Sequence, residues 1–130
     1  MRTAIAIGAL ALTLILAWFA YSARREARYR AALVHYQTDL PPGSSRAEVQ
    51  KYLDSRRVQY LRDVEWGGWQ PDGQHAIAIT LGPTSANLGC TWTAYLEFEF
   101  ELSSQPTHAD AAPSDRLRKI RIGKIGRDCV

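Results

Sequence analysis

The sequence has few residues that could bind a metal ion or form disulfides, with two cysteines and three histidines among 130 residues. No cysteine precedes Cys90, so a lipoprotein cleavage and lipidation site is absent. His35, His75 and His108 lie far apart in the sequence, and no phosphate-binding glycine loop, zinc-protease helix or nucleophile elbow occurs. We therefore expect a protein that is not an enzyme and has no metal, other cofactor or small-molecule substrate.

Charge is missing from Thr3 to Ala23, a run of 21 residues dominated by leucine, isoleucine and alanine. At 1.5 Å per residue a helix of this length spans about 30 Å, the thickness of the hydrocarbon core of a bilayer. Aromatic residues end the run and arginines follow it: Trp18, Phe19, Tyr21, Arg24, Arg25, Arg28 and Arg30. The pattern predicts an uncleaved transmembrane anchor over residues 1–23. The alternative is a cleaved signal peptide with Ala20 and Ser22 before the cut.

The basic residues are concentrated near this anchor. Residues 1–60 carry nine Lys/Arg against four Asp/Glu, whereas residues 61–130 carry seven against nine. We expect Arg24, Arg25, Arg28 and Arg30 to contact anionic lipid headgroups, and we expect no nucleic-acid partner. The positive-inside rule alone would place the following domain in the cytoplasm. The cysteines discussed below favour the opposite, extracytoplasmic side.

Local signals divide the rest of the chain into helices and strands. Apolar residues recur at helical spacing up to Leu40, so residues 24–40 predict a juxtamembrane helix that ends near Asp39, before Pro41. The spacing of Ser45 and Glu48 is typical of a capping box and predicts a second helix over about residues 46–56. Four strands follow, each with period two. They are predicted over residues 58–66, 75–81, 91–102 and 117–125, and the domain over residues 41–130.

The third predicted strand alternates most regularly. Apolar residues share one face, and Thr91, Thr93, Tyr95, Glu97, Glu99 and Glu101 share the other. This predicts a sheet that is packed on one side and solvated on the other. A pairing in which residue numbers sum to about 220 would set Glu99 opposite Arg121 and Phe100 opposite Ile120, so that charges and apolar groups both match.

The same pairing would bring Cys90 close to Cys129, and these are the only cysteines. We predict a disulfide between them, worth about 3 to 4 kcal/mol in the chain-entropy model and stable only outside the reducing cytosol. The alternatives are two inert thiols or a zinc site, which two cysteines without a nearby histidine cannot complete.

Two surfaces are candidates for binding another protein. Trp66 and Trp69 flank two glycines and could present large rigid contact area. The alternative is that Trp66 closes the core and Trp69 covers a hairpin end. Tyr95, Glu97 and Glu99, on the predicted solvated face, form the second candidate. Its alternative is a charge-balanced face that binds nothing.

The run from Leu40 to Leu53 resembles the helix signature of the BamE-like family, small proteins of bacterial outer-membrane assembly. The matching positions are Gly43, Val49 and Leu53, whereas Asp54 stands where that family usually has glycine. The resemblance implies an α+β fold, related to the β-lactamase inhibitory protein, with two helices packed on one face of a three- to four-stranded antiparallel sheet.

Two functions are compatible with these features. The first is a non-catalytic scaffold or adaptor domain, anchored by one span in the inner (cytoplasmic) membrane, with its C-terminal domain in the periplasm and an unidentified protein as its partner. The second is an inhibitor or immunity-type protein that binds an enzyme acting in the envelope. We expect a concave aromatic and acidic sheet face for the inhibitor and a flat face for the scaffold.

Overall fold

The computed structural model of the protein describes residues 2–64, 76–84, 91–101 and 112–127. Its elements are helices α1 (Arg2–Asp39) and α2 (Arg46–Ser55) and strands β1 (Leu61–Val64), β2 (Ala76–Pro83), β3 (Thr91–Glu101) and β4 (Arg116–Arg127). The strands form one open antiparallel sheet in the order β1-β2-β3-β4. The predicted α+β class is confirmed.

Helix α1 runs for 38 residues, with no break between the apolar run and the part predicted as juxtamembrane. It is long and apolar enough to cross a membrane. Large apolar side chains in its N-terminal half, such as Leu10 and Phe19, are exposed, as a lipid-facing helix requires. The helix ends at Asp39 as predicted, because Pro41 offers no N–H with which to continue it.

The predicted capping box begins helix α2. The Ser45 hydroxyl accepts from the Glu48 N–H at 3.3 Å, and the Glu48 carboxylate accepts from the Ser45 N–H at 2.6 Å. These backbone and hydroxyl hydrogen bonds of Ser45 hold the pKa of Glu48 below its ordinary value.

The C-terminal end of α2 corrects the predicted start of the first strand. Arg57 has a φ of 55°, its N–H donates to Asp54 O at 3.0 Å, and the Val58 N–H donates to Leu53 O at 3.1 Å. This is a Schellman motif with arginine at the position where glycine is usual. Residues 58–60 therefore lead out of the helix, and the strand begins at Leu61.

One cluster of buried apolar residues contains side chains from α2 and from the strands. Val49 and Leu53 of α2 are fully buried with Ile77, Leu96 and Phe98 of the strands. Burial of each such side chain contributes about 1.5 to 3 kcal/mol. From α1, the Tyr36 ring stands edge-on to Phe98 with centroids 5.8 Å apart.

The predicted register of the last two strands is wrong by two residues. Glu97 pairs with Arg121 and Glu99 with Lys119, and a bulge after Glu99 shifts the pairing again, so that Phe100 lies opposite Leu117. A shift of two leaves every side chain on its expected face, so the alternation could not detect this error.

Strand β2 continues past its predicted end. The chain stays in the sheet through Gly82 to Pro83, with a bulge between Thr80 and Gly82. Gly82 has a φ of 132°, and a Cβ atom there would lie 2.9 Å from the Tyr29 hydroxyl. Glycine is therefore required both by the backbone and by the approach of α1.

Candidate functional site

The sheet face predicted to be solvated is instead buried at its centre. Tyr95, Glu97 and Glu99 are only 4–5% exposed. Two basic side chains from β4 lie against the carboxylates: Arg121 Nε is 2.8 Å from Glu97 Oε2 and also contacts Glu99 Oε1, and Lys119 Nζ is 3.2 Å from Glu99 Oε2. We call Glu97, Glu99, Lys119 and Arg121 the carboxylate cluster.

A glycine in the neighbouring strand makes room for the cluster. Gly123 has no side chain, and a Cβ atom there would collide with the Glu97 carboxylate. Burial raises the pKa of Glu97, and the positive charge of Arg121 acts in the opposite direction. Burial of a carboxylate is expensive unless it is paired. Gly123 and Arg121 thus supply the space and the charge partner for the Glu97 carboxylate.

The cluster is neutral, and its cations are the exposed members. The side chains of Lys119 and Arg121 are 50% and 42% exposed, against 5–6% for the two glutamates. A partner approaching this face would meet ammonium and guanidinium groups before carboxylates. Within this cluster, the basic groups are therefore more accessible than the acidic ones.

The four juxtamembrane arginines do not share one face of α1. Arg24, Arg25 and Arg28 line a shallow depression with Ala17, Ala20 and Tyr21. The Arg25 guanidinium lies 5.6 Å from the Tyr21 ring centroid, a cation–π contact directed toward the apolar segment. At 3.6 residues per turn, Arg28 and Arg30 point about 160° apart, to nearly opposite sides of the helix.

Arg30 lines a different cavity, which we call the membrane-proximal groove. It has a volume of about 230 Å³ and lies between α1 and the sheet. Its lining includes Glu26, Tyr29, Arg30, Ala94, Ile122 and Lys124. The Tyr29 hydroxyl donates to Pro83 O at 2.9 Å and ties the helix to the sheet at the groove.

Successive contacts along α1 show which end of the sheet lies nearer the apolar half of the helix. Tyr29 bonds Pro83 near one end of the sheet, and eight residues further along the helix, Gln37 Nε2 donates to Ile120 O at 3.0 Å. Beyond the helix, the Gly43 N–H donates to Leu117 O at 2.8 Å. The end of the sheet that contains Pro83 is thus the end nearer the apolar half of α1.

A buried ion pair joins α2 to Asp115, the residue before β4, at the opposite end of the sheet. Arg46 Nε lies 3.4 Å from Asp115 Oδ2, with both side chains at most 3% exposed. The Arg46 guanidinium also lies 4.1 Å from the Phe100 ring centroid. The sequence analysis did not single out this pair. It links the first residue of α2 to the residue that precedes β4.

The other predicted site residues can be placed only in part. Trp66, Trp69, Cys90 and Cys129 lie outside the described residues, as do His75 and His108, so their predicted roles stay predictions. His35 is exposed on α1, 3.7 Å from Asp39. Within the described ranges, no three His, Cys, Asp or Glu side chains are grouped to hold a metal ion.

Comparison with known protein families, curated proteins and solved structures finds no match for this chain. The resemblance to the BamE-like family is neither confirmed nor contradicted and stays a prediction.

Proposed function

We propose that the protein is a single-pass component of the bacterial inner membrane whose α+β domain lies in the periplasm. There it serves as a non-catalytic scaffold or adaptor for another envelope protein. The observation that supports this best is the continuity of α1, which runs from the apolar segment to Asp39 without interruption. The hydrogen bonds of Tyr29 and Gln37 to the sheet tie the domain to that helix.

An adaptor benefits from this construction because the domain is held at a set height above the membrane. In this proposal, the C-terminal part of α1 and helix α2 cover one face of the sheet, as in the BamE-like family. The core contacts of Tyr36, Val49 and Leu53 support that arrangement. The inhibitor alternative has less support, since Glu97 and Glu99 are buried and paired.

Outside the apolar segment, Val34 and Leu61 are the large apolar side chains that the described residues expose, at 61% and 48%. Exposed apolar groups are candidate contact points for a partner. A photoreactive amino acid at either position in living cells is expected to cross-link to one envelope protein. The same group at Lys51, an exposed polar position on α2, is the control.

Topology is tested separately with C-terminal reporters. An alkaline phosphatase fusion is expected to be active and a fluorescent protein that matures only in the cytoplasm is expected to stay dark. The reverse result would place the domain in the cytoplasm and overturn the proposal. Equal cross-linking from Lys51 and from both apolar positions would overturn the assigned contact points.

A further inference from the structure

We propose that the membrane-proximal groove binds the phosphodiester of an anionic phospholipid, with Arg30 and Lys124 as its two cations. The inference rests on the proposed membrane anchoring and adds to it a defined headgroup site. Part of that site comes from β4, far in sequence from the juxtamembrane arginines. The other arginines predicted to contact headgroups, Arg24, Arg25 and Arg28, lie on another side of the helix.

The height of the groove supports this assignment. The groove residues Glu26, Tyr29 and Arg30 come three to seven positions after Ala23, the last residue of the uncharged run. At 1.5 Å per residue their backbones stand about 5 to 10 Å beyond the hydrocarbon, within and at the outer edge of a headgroup layer that is about 5 to 8 Å thick. An average helix tilt of about 20° changes these heights by less than a tenth.

Lys124 of strand β4 lies at the same height above the membrane as these residues of α1. Tyr29 is hydrogen-bonded to Pro83, so the end of the sheet that contains Lys124 lies beside the same turn of α1. Juxtamembrane position alone would not predict a lipid contact for Lys124, which lies 101 residues after Ala23 in the sequence. The fold places it in a groove that Arg30 also lines.

The charges of the groove match one phosphodiester. Arg30 and Lys124 contribute two positive charges and Glu26 one negative charge, so the described lining residues carry a net charge of +1. A phosphatidylglycerol headgroup carries −1, located on its phosphate. Ala94 and Ile122 give the groove an apolar wall, which suits the glycerol and ester region of a lipid better than a free ion.

The test uses the full chain in nanodiscs of phosphatidylcholine with a minority of phosphatidylglycerol. Native mass spectrometry then counts the lipids that stay bound. The wild type is expected to retain phosphatidylglycerol preferentially. Lys124→Gln should reduce that preference about fivefold, the effect of one basic residue near an anionic surface. Glu26→Gln should increase it, because it removes the only negative charge among the described lining residues.

Lys51→Gln is the matched control, since it makes the same substitution at an exposed lysine of α2. Lys51 precedes Tyr52, whose hydroxyl bonds Asp39 at the far end of α1, about 24 Å beyond Ala23. Equal lipid preference in Lys124→Gln and Lys51→Gln would overturn the site. So would a decrease in Glu26→Gln, retention of phosphatidylcholine in preference to phosphatidylglycerol by the wild type, or displacement of the lipid by inorganic phosphate.

Alkaline extraction of cell membranes separates failure of this inference from failure of the anchor. A chain that leaves the membrane fraction contradicts anchoring, and the headgroup site falls with it. A chain that stays in the membrane but shows no effect of Lys124→Gln contradicts the headgroup site alone.

Discussion

Glu97 shows how a single charged residue can occupy a packed sheet face. Its carboxylate uses the space above Gly123 and the charge of Arg121, and neither feature is local to Glu97 in the sequence. Removal of either support leaves a buried carboxylate that is crowded or unpaired, and both conditions cost stability.

Gly123→Ala tests the crowding directly. The added methyl group would displace the Glu97 carboxylate from Arg121, so we expect a loss of about 1 to 3 kcal/mol in the free energy of unfolding. In a Glu97→Ala background the same substitution should cost much less, because the space is then empty. Gly126→Ala, in the same strand, is the control, with its nearest contact to Trp92 at 3.3 Å. Denaturant unfolding of the full chain in detergent measures all four variants, and additive costs would contradict the packing argument.

The raised pKa of Glu97 predicts a pH dependence of stability. Because the folded state holds this proton more tightly than the unfolded chain, the free energy of unfolding falls as the pH rises from the ordinary pKa of glutamic acid through the raised one. Glu97→Gln should remove this part of the slope. Glu101→Gln, an exposed change of the same kind in β3, should keep it. Unfolding curves from pH 4 to 8 test this, and parallel profiles for wild type and Glu97→Gln would contradict it.

Among the secondary-structure elements, α2 has one end that the neighbouring sequence predicts and one end that it does not. The N-terminal end follows from Ser45 and Glu48, which interact within one turn. The C-terminal end escapes prediction because Arg57 occupies a left-handed position without being glycine or asparagine. The burial of Glu97 could not be predicted for another reason. Gly123 and Arg121, which accommodate its carboxylate, lie on the neighbouring strand, and the alternation of residues along β3 carries no information about them.

Arg57→Gly tests the cost of that left-handed residue. A side chain there costs about 1 to 2 kcal/mol, while glycine loses more chain entropy on folding, so we expect a net gain of about 0.5 to 1 kcal/mol. Arg57→Ala removes the same charge but keeps the Cβ atom, and its stability should stay near that of the wild type. Equal stability of the glycine and alanine variants would show that the backbone conformation carries no strain.

The ion pair between Arg46 and Asp115 links two elements that lie far apart in sequence. Asp115→Asn removes a negative charge from beside the buried guanidinium, and we expect a loss of about 3 to 5 kcal/mol in the free energy of unfolding. Arg46→Met combined with Asp115→Asn should cost less than the sum of the single changes. The half-exposed pair of Arg56 and Asp39 is the comparison, and Arg56→Met should cost less than about 1 kcal/mol from lost pairing. Thermal unfolding of the four variants measures these differences.

For the whole molecule, the oxidation state of the cysteines depends on the side of the membrane on which the domain lies. The ladder between β3 and β4 reaches Thr91 and Arg127, and in the sequence Cys90 precedes the first by one residue and Cys129 follows the second by two. A disulfide between them persists only in an oxidising compartment such as the periplasm. Confirmation of the bond would therefore outweigh the arginines that favour a cytoplasmic domain.

Alkylation in intact cells followed by denaturation provides the test. If the domain is periplasmic, neither thiol should react until a reductant is added, and the oxidised chain should migrate faster than the reduced one in a denaturing gel. Replacement of both cysteines by serine should cost about 3 to 4 kcal/mol, since the unfolded chain then loses the closed loop. Single replacements should leave the remaining thiol reactive and cost a similar amount. If both thiols of the wild type react at once, the disulfide is absent and the argument from the cysteines for a periplasmic domain is contradicted.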